Sequence, residues 1–151
     1  MDWGAIIERF EYDLWANGLW LETLRKKGFA EPDTGVFLHI LGAQGIWLTR
    51  CQGESLNALP KYSPDEAEAK MRELSAGFRT LFEGMAEDRV VDYRRTTGEA
   101  NRLRVSQIAW HVLNHGTYHR GELRGLCLAR GDEAFPETDL AAFYFVRGLN
   151  A

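Results

Sequence analysis

SPDEAEAKMRELSAGFRTLFEGM, residues 63–85, is the clearest helical segment of the chain and indicates the fold class. Ser63 can cap a helix, Pro64 suits the first helical position, and Glu66 completes a capping box. Apolar residues then recur at alternating intervals of four and three, at Ala67, Met71, Leu74, Phe78, Leu81 and Met85. This stripe is typical of a helix that packs in a bundle.

Three further segments predict long helices. The first covers about residues 2–27 and stops at Gly28, after three cations that favour the negative end of a helix dipole. The second covers about residues 34–52 and follows a loop predicted near Pro32. The last begins near Ser106 and ends at about Arg130, before Gly131.

Two shorter elements complete the prediction. Residues 89–104 contain strand-like Val and Tyr positions around a turn at Gly98, which indicates a short hairpin. Residues 138–149 predict a short C-terminal helix, started by Thr138 or Asp139. The sequence therefore predicts an all-α fold: an antiparallel four-helix bundle with a short hairpin before the fourth long helix and a short C-terminal helix.

Length and composition predict one globular domain over residues 1–151. Hydrophobic residues make up 45% and charged residues 26%, which is ordinary, and a core can form without disulfides or a structural metal. A net charge of −4 argues against nucleic-acid binding. No apolar run is long enough to span a membrane, and the first residues do not look like a secretory signal. Cys51 and Cys127 do not form a disulfide framework and are interpreted as buried, inert thiols. Free thiols suit a reducing compartment, so we expect a cytoplasmic protein.

All four histidines lie in two of the predicted helices. His111, His115 and His119 follow one another at intervals of four, which places them in a row on one helix face. Two histidines four residues apart can converge on one metal ion. His39, in the second helix, can supply a third ligand if the two helices face each other. Three neutral imidazoles with open positions are typical of a catalytic metal site rather than a closed structural one.

The spacing leaves alternatives open. The pair His111 and His115 or the pair His115 and His119 can bind the ion, and the spare histidine can support a ligand or carry a proton. A histidine pair on a helix can also be solvated or capping. A lone histidine such as His39 can be a core residue bonded to a backbone carbonyl. An inert bundle without metal is the third possibility.

Several segments resemble the DinB family of bacterial proteins. The most specific is HVLNHGTYHRG, residues 111–121. Other resembling segments follow the same order along the chain: YDLWAN at 12–17, LHILG at 38–42, WLTR at 47–50 and TDL at 138–140.

This resemblance implies an up-down-down-up four-helix bundle that is often dimeric and holds a metal through three histidines. One ligand comes from the second helix and two come from an HxxxH pair in the fourth. Carried over to this chain, the ligands are His39, His115 and His119. Zinc and nickel both suit three imidazoles.

One position departs from the family pattern. The family often has Gln after His-Arg-Gly, and this chain has Glu122 on the same helix face as His119. Glu122 can orient a ligand imidazole, bind the metal as a fourth ligand, or lie in solvent. Asn114 and Tyr118 can hydrogen-bond to the ligands or simply pack. Arg120 can bind a substrate anion or pair with an acidic residue of a neighbouring helix.

The resemblance to the wider superfamily implies thiol chemistry on a small molecule. A low-molecular-weight thiol would be transferred to an electrophile, or would assist an isomerisation, while His111 or Glu122 carries a proton. A hydrolase would use the same residues with water as the nucleophile. The rival hypothesis is a non-catalytic, metal-binding dimeric bundle. We expect a small-molecule substrate, a homodimer, and neither nucleic acid nor membrane as a partner.

Overall fold

The computed structural model describes residues 1–56 and 58–149 and is mostly helical, with five α-helices and one small sheet. In chain order the elements are α1 (Trp3–Lys26), α2 (Asp33–Cys51), α3 (Ala67–Glu83), β1 (Val90–Arg94), β2 (Ala100–Arg104), α4 (Val105–Arg130) and α5 (Leu140–Arg147). Among the described helices, none combines the length and the apolar character needed to cross a membrane.

The ends of the long helices follow from local chemistry. The Asp2 carboxylate accepts a hydrogen bond of 3.0 Å from the backbone N–H of Ala5 and so caps α1. α4 ends at Gly131, whose φ of 76° lies in the left-handed region that glycine tolerates best. Before α3, the Glu66 carboxylate accepts hydrogen bonds from the backbone N–H and the hydroxyl of Ser63, at 2.9 and 3.0 Å.

The differences from the sequence prediction lie at helix boundaries. Pro64–Glu66 form a 3₁₀ turn, so α3 begins only at Ala67. The C-terminal helix is shorter than predicted, because it begins after Asp139 and ends before Gly148, which has a φ of 78°. α2 begins at Asp33, so the loop around Pro32 is shorter than expected.

The core lies between the four long helices. α1 packs against α3 and α4, and α2 packs against the same two helices. On α3 the predicted apolar stripe is buried as far as Phe78, but Phe82 then replaces Leu81 as the buried position. The α-helix has 3.6 residues per turn, so a stripe with a strict period of 3.5 drifts away from the core.

The predicted hairpin is present and packs against α2. β1 and β2 pair in antiparallel register, from Val90 opposite Arg104 to Arg94 opposite Ala100. Gly98, with a φ of 91°, allows the turn between them. The Tyr93 ring meets the Trp47 ring of α2 edge-on at a centroid distance of 5.0 Å. This contact brings the hairpin beside the α2 face that carries His39.

Candidate metal centre

Three histidines from two helices come together where α2 and α4 pack. His39 comes from α2, and His115 and His119 come from successive turns of α4. One ring nitrogen of each lies within 4.8 Å of those of the other two. The Nε2 atoms of His39 and His115 are 3.1 Å apart. We call His39, His115 and His119 the histidine cluster.

The geometry and the donor type of the cluster fit a divalent metal ion. Two imidazole nitrogens on one tetrahedral ion, each at about 2.1 Å, would be about 3.4 Å apart. The observed 3.1 Å between two Nε2 atoms is close to that separation. Imidazole is a ligand that suits zinc and nickel, among other ions. The cluster can therefore hold such an ion with three protein ligands and leave further positions open.

Two members of the cluster, His39 and His115, favour the neutral imidazole form. Burial, helped by the three other histidines, lowers the pKa of His115 to about 4. Burial and the nearby His119 likewise lower the pKa of His39. Since a ring nitrogen must be deprotonated to bind a metal, these two histidines have the required form at neutral pH.

Glu122 orients one member of the cluster. Its Oε2 atom lies 2.7 Å from Nδ1 of His119, one turn earlier on α4. This contact occupies Nδ1 and leaves Nε2 as the free ring nitrogen, a common arrangement around metal-binding histidines. The Glu122 side chain is 47% exposed. Of the three roles considered from the sequence, the structure therefore shows the orienting contact at the solvent edge.

His111 continues the row on α4 without joining the cluster. Its ring centroid is 5.8 Å from that of His115 and 5.3 Å from that of Trp47. Burial lowers its pKa below the ordinary histidine value. His111 is thus a neutral base one turn away from a cluster member.

A cavity of about 190 Å³ opens beside the cluster, between α2, α4 and the hairpin. His39, His111 and His115 contribute to its wall. The wall also includes Trp47 and Arg50 from α2 and Tyr93, Arg95 and Thr96 from the hairpin region. A small molecule in this cavity would contact the imidazoles and an aromatic, cationic surface at the same time.

A larger cavity, of about 620 Å³, lies elsewhere and has no histidine in its wall. It is formed by α1, α4 and the segment before α5. Asn114 and Trp110 line this cavity, so they lie on a different side of α4 from the cluster. Tyr118 is 73% exposed and its ring meets the His119 ring edge-on at 5.1 Å. Volume alone would favour the larger cavity, but the histidine cluster lies beside the smaller one.

A buried polar network lies directly behind the cluster. Arg120, the residue after His119, donates hydrogen bonds of 2.7 Å to Asp13 Oδ1 and to Asn17 Oδ1 on α1. Gln44 of α2 donates to the other carboxylate oxygen of Asp13 at 2.6 Å. We call Asp13, Asn17, Gln44 and Arg120 the polar network. It joins α1, α2 and α4, so it links the two helices that carry the histidine cluster to α1.

The pairing of Arg120 is one of the two alternatives considered from the sequence, but its partners were not predicted. Asp13 and Asn17 stand four residues apart within the apolar pattern of α1. Polar residues at this spacing inside a buried stripe are a signal that could have identified them.

Comparison with protein families finds a match that covers most of the chain. The model of the DinB family matches residues 8–134, a range that includes the whole histidine cluster and the polar network. The match confirms the resemblance seen in the sequence. No curated protein and no solved structure shows significant similarity to the chain.

Proposed function

This chain belongs to the DinB family, and from that premise we propose that it is a metal-dependent enzyme whose ion is held by His39, His115 and His119. The observation that carries the proposal is the convergence of three imidazole nitrogens within 4.8 Å beside an open cavity. Zinc and nickel are the proposed ions. The substrate is a small molecule, because the cavity is only about 190 Å³.

The bound ion would supply Lewis acidity, which lowers the pKa of a thiol or a water molecule and generates a nucleophile at neutral pH. Three imidazole ligands leave positions for such a ligand. Glu122 holds the His119 ring through Nδ1 at 2.7 Å and so presents Nε2. His111, with its lowered pKa, is neutral at pH 7 and can accept a proton at a ring nitrogen.

Transfer of a low-molecular-weight thiol to an electrophile is the reaction we favour, with hydrolysis as the second candidate. The cavity wall supports the first choice, since it is largely aromatic and cationic and would accommodate an organic cosubstrate. A non-catalytic, metal-binding dimeric bundle is the alternative from another class. We also propose a single domain over residues 1–151, an up-down-down-up arrangement of the long helices, a homodimer and a cytoplasmic location.

Metal content tests the ligand set. Untagged protein is loaded with Zn²⁺ or Ni²⁺ and bound metal is measured by mass spectrometry. We expect about one ion per chain, and loss of that ion in His39→Ala, His115→Ala and His119→Ala. His111→Ala is the matched control, because His111 belongs to the same row but lies outside the cluster. Metal retention in His119→Ala with loss in His111→Ala would reassign the ligands.

Thiol reactivity tests the enzyme. The metal-loaded protein is mixed with small thiols and the electrophile monochlorobimane. We expect faster conjugation than with the metal-free protein, and a slower rate in His111→Ala at unchanged metal content. If no thiol reacts faster with the loaded protein, the transferase proposal fails and the non-catalytic bundle is favoured.

A further inference from the structure

Arg50 is a buried charge to which the proposed reaction gives no role. The residue is 7% exposed. Its Cζ atom lies 4.6 Å from the ring centroid of Trp47 and 4.7 Å from that of Tyr93. Nη2 donates to the Arg94 carbonyl at 3.0 Å, whereas Nε has no hydrogen-bond partner in the part of the chain that the structure describes.

The charge of Arg50 also lacks an anionic partner. No carboxylate of residues 1–56 and 58–149 pairs with it, and burial lowers its pKa. Arginine nevertheless stays protonated in proteins. A buried cation without a counter-charge is costly in free energy, so an anion from outside the chain would be strongly favoured there.

Arg50 and the histidine cluster face one cavity. Arg50, His39 and His115 all line the space of about 190 Å³. The exposed Arg95 lines it as well but is paired with Glu99 at 3.1 Å. Trp47, against which the guanidinium lies, follows His39 by eight residues, which corresponds to about 12 Å along the helix. A molecule that touches both ends must therefore be extended.

The guanidinium of Arg50 also indicates which anion fits. Its Cζ atom lies over both aromatic rings, while Nε remains without a hydrogen-bond partner among the described residues, so N–H donors are left for a ligand. A planar carboxylate matches two neighbouring N–H donors of a guanidinium with two parallel hydrogen bonds.

We propose that the cavity binds an extended small carboxylic acid, with its carboxylate on Arg50 and its other end at the histidine cluster. The inference deepens the proposed function and rests on it, because it assigns the far end of the molecule to the proposed ion. Applied to thiol transfer, it predicts an acidic thiol as the cosubstrate.

Matched acids and amides test this inference. The probes are 6-mercaptohexanoate and its amide, which differ only in the charge at the end far from the thiol. Binding to the Co²⁺-loaded protein is measured by calorimetry and by the thiolate-to-cobalt absorption band. We expect the acid to bind about tenfold more tightly or better. Mercaptoacetate, which is too short to span the cavity, is expected to show no such advantage over its amide.

Two variants assign the effect to Arg50. In Arg50→Met the acid is expected to lose its advantage over the amide. Arg102→Gln is the matched control, since Arg102 is an exposed hairpin arginine paired with Asp92 at 3.1 Å and lies outside the cavity. It should keep the advantage.

The inference is overturned if acid and amide bind equally to the unaltered protein, or if neither binds. It is also overturned if the preference for the acid survives in Arg50→Met. Should Arg50→Met not fold, the acid–amide comparison in the unaltered protein still decides. Failure of the proposed function is recognised separately, as absence of bound Co²⁺ by mass spectrometry. Calorimetry on the metal-free protein then still compares acid with amide.

Discussion

Arg120 and Arg50 are both buried on long helices, but their surroundings differ completely. Arg120 is 3% exposed and donates to Asp13 and Asn17 at 2.7 Å each. Burial lowers its pKa, but the pairing with Asp13 outweighs this and raises the pKa overall. No carboxylate within residues 1–56 and 58–149 pairs with Arg50, and burial lowers its pKa. The comparison separates a charge that the chain compensates internally from one that is left for a ligand.

The polar network, in which Asp13 pairs with the charge of Arg120, lies close to the histidine cluster. Arg120 follows His119 directly, and Gln44 lies five residues after His39 on α2. Asp13 of α1 receives hydrogen bonds from both Arg120 and Gln44. The network therefore ties α2 and α4, the helices that carry the histidine cluster, to α1 close to the cluster. Metal-site geometry depends on such support.

The largest effect on the free energy of unfolding is expected for Arg120→Met. The substitution leaves the Asp13 carboxylate buried without its cation, which should lower the free energy of unfolding by about 3–5 kcal/mol. Urea denaturation of the metal-free protein measures the change. Arg102→Met, at the exposed pair with Asp92, is the control and should change stability by less than about 1 kcal/mol. A loss at Arg120 no larger than the control's would show that the network does not hold the helices.

Gly116→Ala tests the same network without removing a charge. An added Cβ would lie 2.8 Å from Asp13 Oδ1 and 3.0 Å from Arg120 Nη1, so these groups would have to move. We expect a loss of about 1–3 kcal/mol, measured by the same denaturation. Gly121→Ala, on the same helix with nothing within 4 Å of its added Cβ, is the control. It should be neutral or stabilising by up to about 1 kcal/mol, and equal effects at both glycines would contradict the tight packing.

Glu122→Ala probes support of the cluster from the solvent side. Removing the contact with His119 Nδ1 should weaken metal affinity about 10–100-fold, with little change in the stability of the metal-free protein. Competition with a chelator of known affinity measures the change. Glu122→Gln keeps an acceptor oxygen and should recover much of the affinity. Unchanged affinity in Glu122→Ala would mean that the polar network alone orients the ligands.

His115 differs from both arginines because a histidine side chain can lose its charge near neutral pH. The pKa of His115 is lowered to about 4 in the folded protein, whereas an unfolded histidine titrates near about 6.5. Between these values the unfolded chain binds more protons, so stability falls as the pH is lowered from about 6.5 to about 4. We expect His115→Gln to remove on the order of 1 kcal/mol of this loss in the metal-free protein. Denaturation at pH 7 and pH 5 checks it, and identical pH dependence would contradict the lowered pKa.

Much of the architecture could be predicted from local pattern. The four long helices and the hairpin follow from hydrophobic periodicity, caps and glycine stops, which act over a few residues. The row on α4 follows from the spacing of His111, His115 and His119, but the spacing left open which pair of them joins His39. The contribution of His39 required the family resemblance, because spacing cannot determine which helices face each other.

The features that could not be predicted depend on contacts between distant elements. Asp13 was not recognised as the partner of Arg120, since 107 residues separate them. In the sequence, Arg50 is notable only as part of a segment that resembles the family. Its buried environment depends on Tyr93, a hairpin residue whose position follows from tertiary packing. Burial and pairing of charges are properties of the folded chain, so a single sequence indicates them only weakly.

The smallest effect on the free energy of unfolding is expected for Arg50→Met. This variant tests directly whether the two arginines differ in their role. The substitution removes one hydrogen bond to the Arg94 carbonyl and the contacts with two rings. It also removes a buried charge with which no carboxylate in the described part of the chain pairs. These contributions oppose each other, so stability should stay within about 1 kcal/mol of the unaltered protein. A loss as large as that of Arg120→Met in urea denaturation would identify Arg50 as a structural tie of the hairpin, because a charge kept for a ligand is dispensable for folding.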